Sequence, residues 1–200
     1  MKIGRKLMIS FTVICLFLLI SAAITVIYTL KINNQLSKIT EEVNPSENDV
    51  QDMISILWRS NYIVQRYSTE NDREMMEALD FEFRHINDLY KEKENSVLSL
   101  VENNAVENRV GHAGNKQEIF YKLALKLMNK KKQDITIGIL DDGESFYVQY
   151  SITKQLEKDI VGAIESLDEA LDKISKITLM ANKKSDQAVR NAIIMIFLTA

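Results

Sequence analysis

The sequence predicts an all-α protein, an up-down four-helix bundle continuous with transmembrane helices. Three observations carry that expectation. The 200 residues hold one proline, Pro45, and six glycines, too few residues of fixed or positive φ for the many tight turns of a sandwich or barrel. A run of 24 residues without a charge, Leu7–Leu30, stands near the N-terminus. Beyond it, apolar residues recur with a period of about 3.5, as they do on packed amphipathic helices.

Composition narrows the function. With 25 basic and 28 acidic residues the net charge is −3, which argues against a nucleic-acid partner, since such proteins carry a basic excess. A single cysteine, Cys15, excludes an internal disulfide framework and a multi-thiolate metal site.

The first element is the cytoplasmic N-terminus, residues 1–6, where Lys2, Arg5 and Lys6 have no acid beside them. A basic flank of this kind stays inside. Residues 7–30 follow as transmembrane helix 1, long enough at 1.5 Å per residue to cross a hydrocarbon core of about 30 Å. A cleaved signal peptide is the alternative, with Ser21 and Ala23 at the cleavage site. The apolar run continues past them through Ile24, Val26, Ile27 and Leu30, longer than a signal requires, which favours an uncleaved anchor. Residues 31–187 carry 21 basic and 28 acidic side chains, net −7, and are expected outside as a sensor domain. Residues 188–200 begin a second span that the chain enters but does not complete, so the sequence is expected to be the N-terminal part of a longer inner-membrane protein.

Helix-start chemistry divides the outer segment. Asn44-Pro45-Ser46-Glu47, Asn71-Asp72-Arg73-Glu74 and Asn115-Lys116-Gln117-Glu118 share the spacing of a capping box, and Asp141-Asp142-Gly143-Glu144 joins a turn to a first-turn acid. The expected helices are 31–69, interrupted at Asn44-Pro45, then 72–109, 116–141 and 144–187, with glycine-marked loop 110–115. The apolar stripes run through Val50, Leu57 and Val64; through Met76, Phe83, Tyr90 and Val97, broken only by Lys93; through Tyr121, Leu125, Met128 and Ile135; and through Ile160, Leu167 and Ile174. Alternation at 135–139 and 146–150 around Asp142-Gly143 also fits a β-hairpin. With no third strand to join, helix–turn–helix is preferred.

The MKIGRKL opening, the Pro45 break about 15 residues beyond the first span and the Asp141-Asp142-Gly143 turn about 45 residues before the second resemble the N-terminal half of a methyl-accepting chemotaxis protein. The resemblance implies a homodimer that senses a small molecule or a periplasmic solute-binding protein near its distal end. It also implies that a small shift of the last helix transmits binding to cytoplasmic signalling partners through a C-terminal part missing here. A histidine kinase or nucleotide cyclase with a similar sensor is the first alternative, and a non-sensory structural membrane protein the second.

Candidate ligand residues lie at the distal end. Arg59, Arg66 and Arg73 are spaced by seven, and a guanidinium suits a ligand carboxylate through its bidentate fork. In amino-acid-sensing members of the resembled family, arginines on this helix hold the ligand across the dimer interface. That family's motif is not reproduced residue for residue, so no role is carried over. The alternative is a solvated basic stripe paired with Glu70 and Asp72. Asn61 falls on the apolar stripe, where a buried amide must find partners. Tyr62 and Tyr147, with Trp58 and Tyr150, have the positions to wall a pocket. Glu82-x-x-His85 is half of a di-iron motif without its second half, and His112 is expected in a loop. No catalytic residue, metal site or cofactor is expected. Because the first span is expected to remain uncleaved, the intact mass of the membrane-extracted protein should include residues 1–30; a mature N-terminus at Ile24 would refute this.

Overall fold

A computed structural model describes the backbone of residues 2–137 and 143–199 and the side chains of 3–134 and 151–195. Five α-helices account for nearly all of it: α1 (Lys2–Lys38), α2 (Asn44–Thr69), α3 (Arg73–Leu100), α4 (Asn104–Ile137) and α5 (Gly143–Thr199), with a π-helical turn at Ile39–Val43. The all-α expectation holds, and no described residue lies in a strand. Residues 135–137 and 143–150 are helical, so the hairpin alternative is not adopted there; Asp141 and Asp142 lie outside the described residues.

The helix boundaries depart from expectation in three places. Ile3–Thr69 is one unbroken helix, and Asn44 therefore caps nothing. Proline removes one backbone donor and crowds the carbonyl four residues earlier. The turn just before Pro45 widens to the π form, a common way to pass an irregularity through a helix without ending it. The second difference is the cap of α3, which is Asp72 rather than Asn71. Its Oδ1 accepts from the amides of Glu74 at 2.8 Å and Met75 at 3.1 Å. The Glu70 carboxylate accepts from the amides of Asn71 and Asp72 and holds the tight turn.

The third difference is the largest. The connection between α3 and α4 is residues 101–103, not 110–115, and Gly111 and Gly114 sit inside α4. Asn103 is the cap, its Oδ1 accepting from Ala105 and Val106 at 3.0 and 3.3 Å. Asn115-Lys116-Gln117-Glu118 is mid-helix, and His112 is helical rather than in a loop.

The chain forms two compact units, residues 44–175 and residues 1–43 with 176–200. In the larger, each helix buries a stripe with a seven-residue repeat. On α2 it is Ser46, Val50, Met53, Leu57, Ser60, Val64 and Tyr67; on α3, Met76, Leu79, Phe83, Ile86, Tyr90 and Val97. On α4 it is Val106, Val110, Ala113, Gln117, Phe120, Ala124 and Leu127; on α5, Leu156, Ile160, Ala163, Leu167, Ala170 and Ile174. Ion pairs and ring contacts give the direction of neighbours. Arg59 meets Glu82 and Asp49 meets Lys93, so α2 and α3 are antiparallel. Phe83 meets Phe120 edge-on at 6.2 Å and stacks on Tyr121 at 5.3 Å, and Asn87 meets Gln117, so α3 and α4 are antiparallel too. Lys116–Asp159 and Arg109–Glu169 give the same order for α4 and α5.

In the smaller unit the apolar residues of α1 are exposed, Leu7 at 70% and Leu19 at 68%. The helix is long and apolar enough to cross a membrane. Its less exposed face carries Ser21, Ile24, Tyr28, Ile32 and Gln35. The corresponding face of α5 carries the small residues Ala181, Ser185, Ala188 and Ala192.

The two α4 glycines differ in surroundings. Nothing stands within 4 Å of a Cβ added at Gly111, whereas one added at Gly114 would overlap the half-buried Glu94 carboxyl. Gly111→Ala should therefore stabilise the protein by about 1 kcal/mol, the helix-propensity gain, measured by denaturant unfolding. Gly114→Ala should gain less, because Glu94 must swing away; equal gains would contradict this packing.

Candidate functional site

One end of the larger unit is built where α2 ends, α3 begins and α4 approaches. The turn 70–72 closes it, and Lys131 of α4 reaches it by donating to Asn71 Oδ1 at 3.3 Å. The three arginines lie along the α2/α3 seam, with Arg59 and Arg66 on the edge of α2 that faces α3 and Arg73 opening α3. Their partners differ from the expected Glu70 and Asp72. Arg59 is held by Glu82 through two contacts to Oε1, Nη2 at 2.7 Å and Nε at 2.8 Å. Arg73 leans on Glu77 one turn along its own helix at 3.4 Å. Arg66 lies against the Met75 sulfur at 3.8 Å and has no carboxylate partner among the described residues.

The remaining described candidates do not join this seam. Tyr62 and Trp58 are exposed at 59% and 54%, on the flank of α2 turned from α3. Asn61 is half-buried at the edge of the stripe, and the stripe position next to it belongs to the buried Ser60. The side chains of Tyr147 and Tyr150 lie outside the described residues. Glu82 is engaged by Arg59, and no cluster of ligating side chains that could hold a metal occurs among the described residues.

Polar groups that the sequence reading missed lie in the interior. Asn87 Oδ1 accepts from Gln117 Nε2 at 2.6 Å, both side chains buried. Asp159, 1% exposed, accepts from Gln155 at 2.7 Å and pairs with Lys116 at 3.4 Å. The Tyr90 hydroxyl is buried with no hydrogen-bond partner among the described residues. Its pKa is well above the ordinary phenol range, because burial and the nearby Glu94 charge both oppose the phenolate. Glu94 is itself raised, mainly by desolvation. Only position could have signalled these groups: Gln117 and Asp159 fall beside apolar residues at helical spacing, but α4's stripe is hard to read. A cavity of about 430 Å³ opens between α4 and α5, lined by Ala105, Asn108, Arg109, His112 and Lys173. Comparison with known protein families, with curated proteins and with solved structures finds no match to this chain.

Lys93, the one charge in the α3 stripe, is explained by its partners. Its ammonium lies 2.8 Å from both Asp49 and Asp52 of α2, and Ser96 donates to Asp49 as well. Hydrogen bonds to Asp49 and then Asp52 raise its pKa above the ordinary lysine value. A lysine raised on folding contributes stability fully below its unfolded pKa of about 10.4 and loses it as pH climbs through the folded value. The stability gap between wild type and Lys93→Met should thus be constant from pH 7 to 9 and shrink above about pH 10.4, read by urea unfolding across pH. A gap that closes below pH 9 would refute the assignment.

Proposed function

We propose that the chain is the sensing region of a dimeric transmembrane receptor of the chemoreceptor kind. In this reading residues 31–187 form an extracytoplasmic up-down four-helix bundle continuous with membrane helices, and the last helix carries the signal inward. The observation that supports it most is α5, 57 residues without a break. It bears the core stripe from Leu156 to Ile174 and then runs into the uncharged Asn191–Thr199 segment. A rod of this kind passes on a shift of about 1–2 Å, because packed helices move as units between discrete arrangements. The antiparallel order of α2 to α5 and the apolar, exposed length of α1 support the bundle and the anchor.

The ligand site in this reading is the distal α2/α3 seam, with Arg66 as its ligand-holding residue. Arg59 and Arg73 already hold carboxylates, whereas Arg66 meets only the weak acceptor Met75 Sδ among the described residues. The ligand class that fits is a small carboxylate, an amino acid or organic acid. A charge-assisted hydrogen bond contributes about 1.5–3 kcal/mol, a change in affinity of tenfold or more.

The test is a thermal-shift screen of the detergent-solubilised chain against amino acids and organic acids. A carboxylate that raises Tm should lose affinity about tenfold in Arg66→Ala and much less in Arg73→Ala. A hit unaffected by Arg66→Ala would remove this site, and the absence of any carboxylate hit would remove the ligand class.

A further inference from the structure

In the smaller unit, α1 and the end of α5 border an open cavity of about 390 Å³, lined by Tyr28, Lys31, Gln35, Lys184, Gln187, Ala188 and Asn191. Its chemistry is one-sided. Two ammonium groups and three carboxamides line it, with no carboxylate. Neither lysine forms an ion pair with another described residue. Asp186 is the one acid of α5 beyond Ser175, and it is not among the lining residues. Two cations and three amides lining one cavity, with no carboxylate among them, describe a receptor for a phosphate or other compact anion.

The cavity's place along both helices identifies the source of that anion. Lys31 is the first charge after the 24-residue uncharged run on α1, and Lys184–Asn191 immediately precede the apolar end of α5. Tyr28 stands one turn inside Lys31, the arrangement of an aromatic residue at a membrane–water boundary with a lysine reaching past it. At that depth the abundant anion is the phosphodiester of a lipid headgroup, and a volume of 390 Å³ is within the range of small-ligand sites.

The geometry points to an interfacial lipid site: Lys31 and Lys184 hold the phosphate of an anionic phospholipid between α1 and α5, with Gln35, Gln187 and Asn191 donating to its headgroup oxygens. This rests on the membrane reading above. The bound lipid would bridge the first helix and the signal-carrying helix where they leave the bilayer, so its presence would bias their relative displacement.

The test uses the full chain in nanodiscs of phosphatidylcholine with and without phosphatidylglycerol, followed by native mass spectrometry. Wild type should retain phosphatidylglycerol. The variant Lys31→Gln/Lys184→Gln should retain it about tenfold less or lower still, through the loss of charge-assisted hydrogen bonds made at the site itself. The control Lys183→Gln/Arg190→Gln removes the same charge from exposed positions outside the cavity and should retain it like wild type. Equal loss in both variants, or loss in neither, overturns the site. Displacement of the lipid by millimolar inorganic phosphate or glycerol phosphate would assign the cavity to a soluble anion instead and overturn the lipid assignment. A chain that fails to enter nanodiscs of either composition overturns the membrane reading and this inference with it; insertion without selective retention overturns this inference alone.

Discussion

The structure between residues 44 and 175 depends on one constraint: each of four helices has a single narrow face it can bury, repeating every seven residues. Twelve of the largest side chains on those faces are under 2% exposed, including Tyr90, Phe83, Phe120, Ile160 and Leu167. A seven-residue repeat keeps its face turned toward a neighbour only when the helices run nearly alongside one another. That single requirement selects long helices and short turns. The connections obey it, three residues at 70–72 and three at 101–103, each closed by an Asn or Asp side chain capping the next helix.

Polar residues inside such an interface act on register more than on net stability. Asn87 with Gln117 and Asp159 with Lys116 and Gln155 each match one level of a helix to one level of its neighbour. A slip by one turn would leave an amide or a carboxylate buried without a partner, at a cost of several kcal/mol. Lys93 has the same role between α2 and α3, gathering Asp49 and Asp52 at 2.8 Å. The seam arginines sit outside this interior, and among the described residues Arg66 has no carboxylate partner.

How much of this was legible follows the size of the side chains. The stripes of α3 and α5 are written in large apolar residues, and Phe83, Tyr90, Ile160 and Leu167 stand where the spacing put them. The stripe of α4 is Ala113, Gln117 and Ala124 between larger residues, so the eye moves one position along, to Tyr121 and Leu125, which are only half-buried. The same small residues make Gly111 and Gly114 read as a loop, although at Gly114 the missing side chain leaves room for the Glu94 carboxyl, while Gly111 stands in open space. At the site, the seven-residue spacing of the arginines was plain in sequence. Their partners were not, because Glu82 reaches Arg59 from another helix, and the cationic cavity between α1 and α5 joins residues more than 150 positions apart.

The π turn at Ile39–Val43 has a consequence for how tightly the first helix closes. A turn of this kind holds one residue more than the α ladder accommodates, and its wider ring gives Pro45 room over the carbonyls of the preceding turn. Deleting one residue there would close the α ladder and bring the proline ring back against the carbonyl four residues earlier. The surplus residue is slack that the proline takes up.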